Sequence, residues 1–583
     1  MNFIQEKTPE LSKGLTKETY ALYFHSLLFL EELSQVYLMN KMETIAPLIK
    51  RGQYFVFTFE EETIYHNLSP GDTVLLSNPW VEDESESPAI IRIWMRKDNE
   101  IFFNFKDVFN IIGTNGALFR MRFKNNRTCI VRTHHAIDFF LKRIGVQWLF
   151  PDVSFIKIHS EGYSTEINYL NQALNEEQRK AVRNIIFTNN NRSSPFLLFG
   201  PPGTGKTVTL VEAVCQVIQH YPESRILISA PSNSAVDTFC ELLISKGLLN
   251  KKDLLRLTSF TYSQQEYSAI LSTNISEEHS EIRYCDTDAL TQFKVLAGTL
   301  SNLGILNCIE CKYGHFTHIF VDEAGQTTEP ETLIPIAGIQ PGSTRVVFAG
   351  DPKQLGPVIL NPVAKEYGLG DSFMLRLLLL PIYSRYTVKP KMATMLNKNY
   401  RSLPSLVNLF SNLFYNDNVV STLSEDSREA QLLNNIQKVS SSLVVVKVNG
   451  QEVPSNCERN SYGNLMEAAR VSIIVTDLYK AGLTSLQIGV ITPYTFQVKC
   501  INECFSMLQV EPPKIGTVEE FQGSERDVIV LSLVRTNHDE CRLSFIGDAR
   551  RSNVALSRAK VMNVIVAKET TLRQSNIWER VLR

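Results

Sequence analysis

Cysteine is scarce in this chain, 10 among 583 residues, which is too thin for the disulfide framework of a small secreted scaffold. Only Cys308-x-x-Cys311 has the spacing of a metal pair. No second pair or His-x₃-His follows at a suitable distance, so it reads as two reduced thiols and not as a zinc centre. Long apolar runs are missing too: nothing approaches the ~18 residues of a membrane-spanning helix, so no span is expected. The opening Met1-Asn-Phe-Ile-Gln-Glu-Lys7 lacks the basic-then-apolar build of a secretory signal, and the expectation is an intracellular chain. Net charge is nearly absent at −2, so any nucleic-acid surface must come from local clusters and not from the overall balance. Internal repeats are lacking, which argues against solenoids.

What is present is an ordinary globular composition, 44% hydrophobic and 21% charged, in a chain long enough for roughly three or four domains. Residues 1–49 form an N-terminal helical segment, with a helix expected over 16–42 that gathers Tyr20, Phe24, Leu27, Leu28, Leu33, Tyr37 and Leu38 on one side. Residues 50–145 change texture. Short alternating runs at 54–59, 73–76, 89–95 and 118–123, divided by turn residues, read as a small antiparallel β-barrel. The acidic stretch Glu82 to Glu86 reads as a solvated loop. Arg120, Arg122 and Lys124 alternate with Phe119, Met121 and Phe123, which puts three cations on one strand face. That face is either plainly solvated or a contact surface for a phosphate backbone.

Beyond residue 171 apolar strands alternate with helical stretches, at 196–199, 225–230, 295–298, 318–321 and 345–349, as a parallel sheet covered on both faces requires. This gives a first α/β domain over 146–384 with an insertion at about 243–292, polar and Ser-rich. A second α/β domain follows over 385–583, with strands near 443–448, 488–492, 528–533 and 561–567 and a surface excursion at 421–435.

The chemistry is concentrated in a few motifs. Phe196 to Phe199 run into Gly200-Pro201-Pro202-Gly203-Thr204-Gly205-Lys206-Thr207 and then a helix. Such a loop wraps its backbone amides around phosphates, Lys206 reaches the outer phosphates, and the Thr207 hydroxyl can ligate Mg²⁺. The strand His318-Ile-Phe-Val ends in Asp322 and Glu323, the first placed to hold the Mg²⁺ with Thr207, the second to orient or deprotonate the attacking water. In Gly350-Asp-Pro-Lys-Gln354, Gln354 can hydrogen-bond the γ-phosphate or the water and so report hydrolysis. Arg401 and Arg558 lie in the second α/β series, where arginines facing a phosphate loop stabilise the charge of the transferring group. Arg551 and Arg558, seven apart, are expected on one helix face.

Taken in order, residues 200–207, Ala230-Pro-Ser-Asn-Ser-Ala-Val-Asp237, Asp322-Glu-Ala-Gly-Gln326, Gly350-Asp-Pro-Lys-Gln-Leu355, Asn399-Tyr-Arg401, 518–527 and Asn553-Val-Ala-Leu-Ser-Arg-Ala-Lys560 resemble the motif series of superfamily-one helicases of the Upf type. The resemblance covers about 171–569 and implies an α/β fold of two RecA-like parallel-sheet domains, with an N-terminal helix and an inserted small β-barrel, and ATP between the two domains. Tyr23 to Leu33, ahead of the barrel, is similar to the Armitage branch of RNA-silencing helicases. By this resemblance Gln178 meets the adenine edge, Tyr400 stacks on its ring, Glu525 touches the ribose, and Arg401 and Arg558 reach the γ-phosphate. Ser232, Asn233, Thr299, Thr492, Pro493 and Thr517 match positions that line a single strand, and the barrel and the insertion would clamp it, with Arg120, Arg122 and Lys124 as contacts. The implied function is an ATP- and Mg²⁺-dependent helicase moving 5′ to 3′ on single-stranded RNA, in silencing of transposons or turnover of messages. It would be a cytoplasmic monomer that meets silencing-complex proteins. Two other readings stay open: a DNA helicase of the same superfamily, and an ATP-gated RNA clamp that recruits silencing factors without unwinding.

Overall fold

A computed structural model describes residues 9–52, 54–59, 68, 71–81, 87–95, 100–104, 116–152, 166–187, 194–250, 252–258, 290–309, 311–383, 392–424, 426–436, 441–455, 461–536 and 547–583. The acidic stretch Glu82 to Glu86 lies outside them.

The first long element is helix α1, Tyr20–Asn40, a run free of Gly and Pro and apolar almost all round. The stripe it buries is Tyr20, Tyr23, Phe24, Leu27, Leu28 and Glu31, at spacings of three and four. Leu33 and Tyr37, expected on that side, are instead exposed. The next turn of the stripe belongs to Glu31, whose carboxylate accepts the backbone N–H groups of Leu360 (2.9 Å) and Asn361 (2.8 Å). The Tyr20 hydroxyl donates to Glu329 Oε1 at 2.8 Å, and Glu329 pairs with Arg376 at 2.6 Å. These long-range bonds fasten α1 to the first α/β unit.

Seven strands follow: β1 Thr44–Pro47, β2 Ile49–Arg51, β3 Tyr54–Thr58, β4 Thr73–Ser77, β5 Ser87–Met95, β6 Glu100–Asn104 and β7 Leu118–Lys124. They form an antiparallel sheet in the order β1-β7-β4-β5-β6-β3-β2. Its two edge strands are joined through Leu48 alone, which bonds Ala117 O and Gly116 N–H. One face is packed with Phe55, Phe57, Ile91, Phe103, Phe119, Met121 and Phe123. Along β7 burial alternates strictly, leaving Arg120, Arg122 and Lys124 on the outer face. Helix α2, Thr128–Arg143, then leads into the first α/β unit.

That unit contains α3 Glu176–Phe187, β8 Phe196–Phe199, α4 Lys206–His220, β9 Ile226–Ala230, α5 Asn233–Ile244, β10 Leu254–Leu257, β11 Val295–Thr299, β12 His318–Val321, β13 Arg345–Gly350 and β14 Ala393–Met395. All pairs are parallel, in the order β10-β11-β9-β12-β13-β8-β14. Alternate residues of each strand feed two separate cores: Leu197, Leu227, Leu296, Ile319 and Phe348 on one face, and Phe196, Ile228, Ala297, Phe320 and Val347 on the other. This is why the strands read as unbroken apolar runs. Two expectations need correction. The segment expected as an insertion at about 243–292 holds β10, an integral edge strand, while residues 251 and 259–289 lie outside the described residues. The last strand of this sheet, β14, falls beyond the boundary expected at 384/385.

The second unit contains α6 Pro404–Phe414, α7 Arg428–Ile436, β15 Leu443–Lys447, α8 Leu465–Lys480, β16 Ile488–Thr492, α9 Thr495–Leu508, β17 Lys514–Thr517, β18 Arg526–Ser532, α10 Ala549–Leu556 and β19 Ala559–Ala567. Its five strands are parallel in the order β15-β19-β18-β16-β17. The stretch expected as a surface excursion at 421–435 contains α7, which buries Leu433 and ties Arg428 to Asp527 at 3.0 Å. Among the described residues no helix is long and apolar enough to cross a membrane, and no three or more His, Cys, Asp and Glu side chains gather in a group that could hold a metal ion. Cys308 and Cys311 are free thiols.

Candidate nucleotide cleft

The strand tips of the first sheet open toward the second unit, and between them lies a cleft of about 410 Å³. The loop after β8 turns at Gly203 (φ 69°) and Gly205 (φ 78°), a left-handed region that a Cβ disfavours. A Cβ on Gly203 would also stand 2.7 Å from Arg401 Cβ and from Asn399 Nδ2. The loop is preformed by its own bonds: Lys206 Nζ donates to Gly200 O (2.8 Å) and Thr204 Oγ1 to Pro201 O (2.7 Å). Gly200 and Pro201 form the turn behind the cleft, and Pro202 to Thr207 line it.

Opposite the start of α4, the Thr207 hydroxyl donates to Asp322 Oδ2 at 2.7 Å. Asp322 is buried, and burial together with neighbouring Glu323 pushes its carboxyl above the usual range, against Thr207 and Lys206. A hydroxyl and a carboxylate short of compensating charge are a hard-oxygen pair suited to a divalent cation. Glu323 adopts φ 52°, a left-handed conformation unusual for a side chain of its kind, and Gln326 Nε2 donates to its Oε2 at 3.1 Å. Strain of this kind is typical of residues held for chemistry.

The second unit supplies the facing wall. Arg401 Nε stands 2.5 Å from Glu525 Oε2, and Lys560 Nζ 2.9 Å from Glu525 Oε1. Burial raises the Glu525 carboxyl, but the two cations outweigh it and hold it below the usual range. Arg558 is buried and donates to Gln354 Oε1 at 3.2 Å, to Val554 O and to Ser557 Oγ. Burial, followed by the charge of Arg401, pushes its guanidinium down to about 9. Arg551 and Arg558 do not share a helix face, because α10 stops at Leu556 with Ser557 as its C-cap. Arg558 turns into the cleft while Arg551 pairs with Glu519 at 2.9 Å.

Gln178 is buried behind the loop, donating to Thr204 O (3.2 Å) and accepting from Asn175 N–H (3.0 Å). Tyr400 is 43% exposed at the cleft wall, its hydroxyl accepting from Asn175 Nδ2 at 2.8 Å. Asn175, Lys560, Gln326, Gln522 and Glu429 were not foreseen at the site. The first four lie inside or beside the motif residues, but nothing in their spacing says which way they turn.

The residues expected along a single strand gather in two pairs of neighbouring strand ends. Thr299 is registered with Ala230, two residues before Ser232, and Thr492 with Thr517. Ser232 and Thr299 cap short helical starts by accepting Ala235 N–H and Asn302 N–H. Asn233 accepts from Arg256, at 3.0 Å on its Oδ1. Thr517 is half-buried, whereas Thr492 and Pro493 are buried, with no hydrogen-bond partner for the Thr492 hydroxyl. Arg120, Arg122 and Lys124 sit on the separate antiparallel sheet, Arg120 within 3.9 Å of Glu43.

Two protein families, each described as an AAA domain, match the chain at residues 374–570 and at residues 173–282 and 262–362. Over 99% of its length the chain is 32% identical to probable RNA helicase armi of Drosophila melanogaster, covering 53% of that protein. Over 70% of its length it is 36% identical to RNA helicase Mov10l1 of Homo sapiens, covering 34% of it. It is 32% identical, again over 70% of its length, to a regulator of nonsense transcripts 1 homolog of Neurospora crassa, covering 38% of it. The chain thus spans about half the length, or less, of these curated relatives.

Proposed function

This chain belongs to the Upf1-like superfamily-one helicases, near the Armitage branch, and from that premise we propose that it is an ATP-dependent helicase translocating 5′ to 3′ on single-stranded RNA, acting in cytoplasmic RNA silencing or RNA turnover. The observation that carries the reading is the two-sided cleft: Lys206, Thr207, Glu323 and Gln354 on one wall, with Asp322 buried behind Thr207, and Arg401, Arg558, Lys560 and Glu525 on the other. A phosphate chain entering it would meet cations from both units, so its charge draws the units together and its hydrolysis releases them.

In this proposal Thr207 and Asp322 would hold Mg²⁺, which when bound would screen the charge of the phosphate oxygens. Glu323 takes the proton of the attacking water, and Gln354 orients that water. Arg401 exchanges Glu525 for the γ-phosphate, which Arg558 also reaches, and Glu525 is left with Lys560 beside the ribose. Tyr400 offers an aromatic face to the base, and Gln178 reads the adenine edge on giving up Thr204 O. Ser232, Asn233, Thr299, Thr492, Pro493 and Thr517 follow the strand with contacts that ignore sequence, and the curled β1–β7 sheet, a small barrel, clamps it. A monomer suffices for these roles, and silencing-complex proteins are the proposed partners.

The test is strand displacement with a trapped product strand, on matched RNA and DNA duplexes, alongside RNA-stimulated ATP hydrolysis. RNA unwinding that Lys206→Ala abolishes supports the reading. Unwinding of DNA alone, or ATP hydrolysis with no displaced strand, overturns it in favour of a DNA helicase or a clamp.

A further inference from the structure

Gln354 reaches Arg558 with its carbonyl oxygen, and the reason lies behind it, in Asp351 and in Tyr415, a side chain outside the motif series. Asp351 is 3% exposed. Its Oδ1 accepts Lys353 N–H at 3.0 Å, and its Oδ2 accepts both Gln354 Nε2 at 2.8 Å and the Tyr415 hydroxyl at 2.6 Å. Tyr415 follows α6 of the second unit and is 1% exposed. Its phenol oxygen in turn accepts Asn553 Nδ2 at 2.6 Å, from α10, and the same amide donates to Lys353 O at 2.8 Å. The Tyr415 ring lies with its centroid 6.3 Å from that of Phe199, the last residue of β8 before the phosphate loop.

The donor and acceptor chemistry of these groups allows one arrangement. An amide NH₂ can only donate, so the phenol oxygen accepts from Asn553 and its proton must go to Asp351. An ionised carboxylate can only accept, so Gln354 turns its NH₂ toward Asp351 and its oxygen outward. A guanidinium can only donate, and Arg558 meets that oxygen at 3.2 Å. The chain Asn553–Tyr415–Asp351–Gln354–Arg558 begins and ends on one segment of the second unit and passes through the first.

We propose that Tyr415 is a positioning residue for nucleotide turnover, its hydroxyl holding Asp351, and through it Gln354, in the orientation that faces Arg558, so that hydrolysis in the cleft is transmitted to the second unit. The inference rests on the ATP-driven reading above. It predicts an effect on the rate and not on nucleotide affinity, because Tyr415 does not line the cleft.

The experiment measures RNA-stimulated ATP hydrolysis by the full chain as wild type, Tyr415→Phe, Gln354→Ala and the double variant. Tyr415→Phe keeps the ring and removes only the hydroxyl. It is expected to lower kcat about tenfold with the KM for ATP within about twofold, and to add less than about twofold in the Gln354→Ala background. A purely structural role would lower the melting temperature and multiply with Gln354→Ala. Wild-type kcat in Tyr415→Phe, or losses that multiply in the double variant, overturns the inference. Should Tyr415→Phe be poorly folded, Asn553→Leu, which takes the donor from the phenol, must give the same kcat-only loss, and a wild-type rate there overturns it as well. A wild-type chain with no nucleotide turnover would overturn both this inference and the helicase reading, whereas turnover indifferent to Tyr415 overturns this inference alone.

Discussion

Glu323 and Gly203 show how much of the cleft depends on single backbone positions. Glu323 is held at φ 52° with its carboxylate on Gln326, so an amide in its place keeps the shape and loses the base. Glu323→Gln is expected to lower RNA-stimulated phosphate release by about 10²–10⁴-fold, the usual worth of a positioned general base, while fluorescent ATP analogues still bind. Hydrolysis at the wild-type rate would remove Glu323 from the chemistry. Gly203 combines a left-handed φ with an approach to Asn399 and Arg401 that leaves no room for a methyl group. Its carbonyl accepts Tyr400 N–H at 2.9 Å, so the loop and the Asn399-Tyr-Arg401 segment touch through backbone. Gly203→Ala should cost about 1–2 kcal/mol in folding stability from the backbone alone. It should lower kcat further by pushing Arg401 away, a split that thermal denaturation and steady-state kinetics would measure separately.

At the scale of elements, helix α8 and strand β18 are bound by a buried carboxylate. Glu467 sits in the first turn of α8 and accepts Ser532 Oγ (2.8 Å) and Val534 N–H (2.8 Å), the latter from a residue at φ 68°. Burial pushes its carboxyl up to about 7, against those hydrogen bonds. Between the ordinary carboxyl value of 4.5 and that raised value the native chain binds a proton the unfolded chain has lost, so stability is greatest below this window and falls as pH rises through it. The wild-type melting temperature should therefore drop from pH 5 to pH 8 more steeply than that of Glu467→Gln. Parallel curves would place the proton elsewhere. Elements of this kind were legible in the sequence to different degrees. The long apolar strands announced themselves because both faces are buried, and β7 because its alternation is strict. Strands β10 and β14 were misassigned to an insertion and to the second domain. The first is an edge strand that carries a buried Arg256 paired with Asp237 at 2.8 Å, and the second is three residues long. The placing of residues 200–207, Asp322 and Glu323 at strand ends could be read from local order alone. Asn175, Tyr415 and the true position of Arg558 could not, since each is set by a helix end or by a contact more than a hundred residues away.

Across the whole molecule, α1 is riveted to the first α/β unit through Glu31 and Tyr20, so the antiparallel sheet that follows it is placed by that unit. β7 packs on α1, and the segment after β7 bonds back to it, Asn125 Nδ2 to Gln35 Oε1 at 3.0 Å and Arg127 to Glu32. If the outer face of β7 is a phosphate contact, its three cations move with the first unit and grip the strand while the second unit opens and closes. Phosphate contacts carry a signature that solvated charges lack. For single strands log K falls with log salt at a slope near −0.7 for each phosphate neutralised. Replacing Arg120, Arg122 and Lys124 together by Gln should therefore flatten the slope for single-stranded RNA by about 2, with weaker binding at low salt across all sequences alike. Because these residues lie outside the cleft, ATP hydrolysis without RNA should stay at the wild-type rate, which separates lost grip from a damaged motor. An unchanged slope would mean that β7 merely faces solvent, and the grip of the first unit would then have to come from the strand tips at Ser232, Asn233 and Thr299.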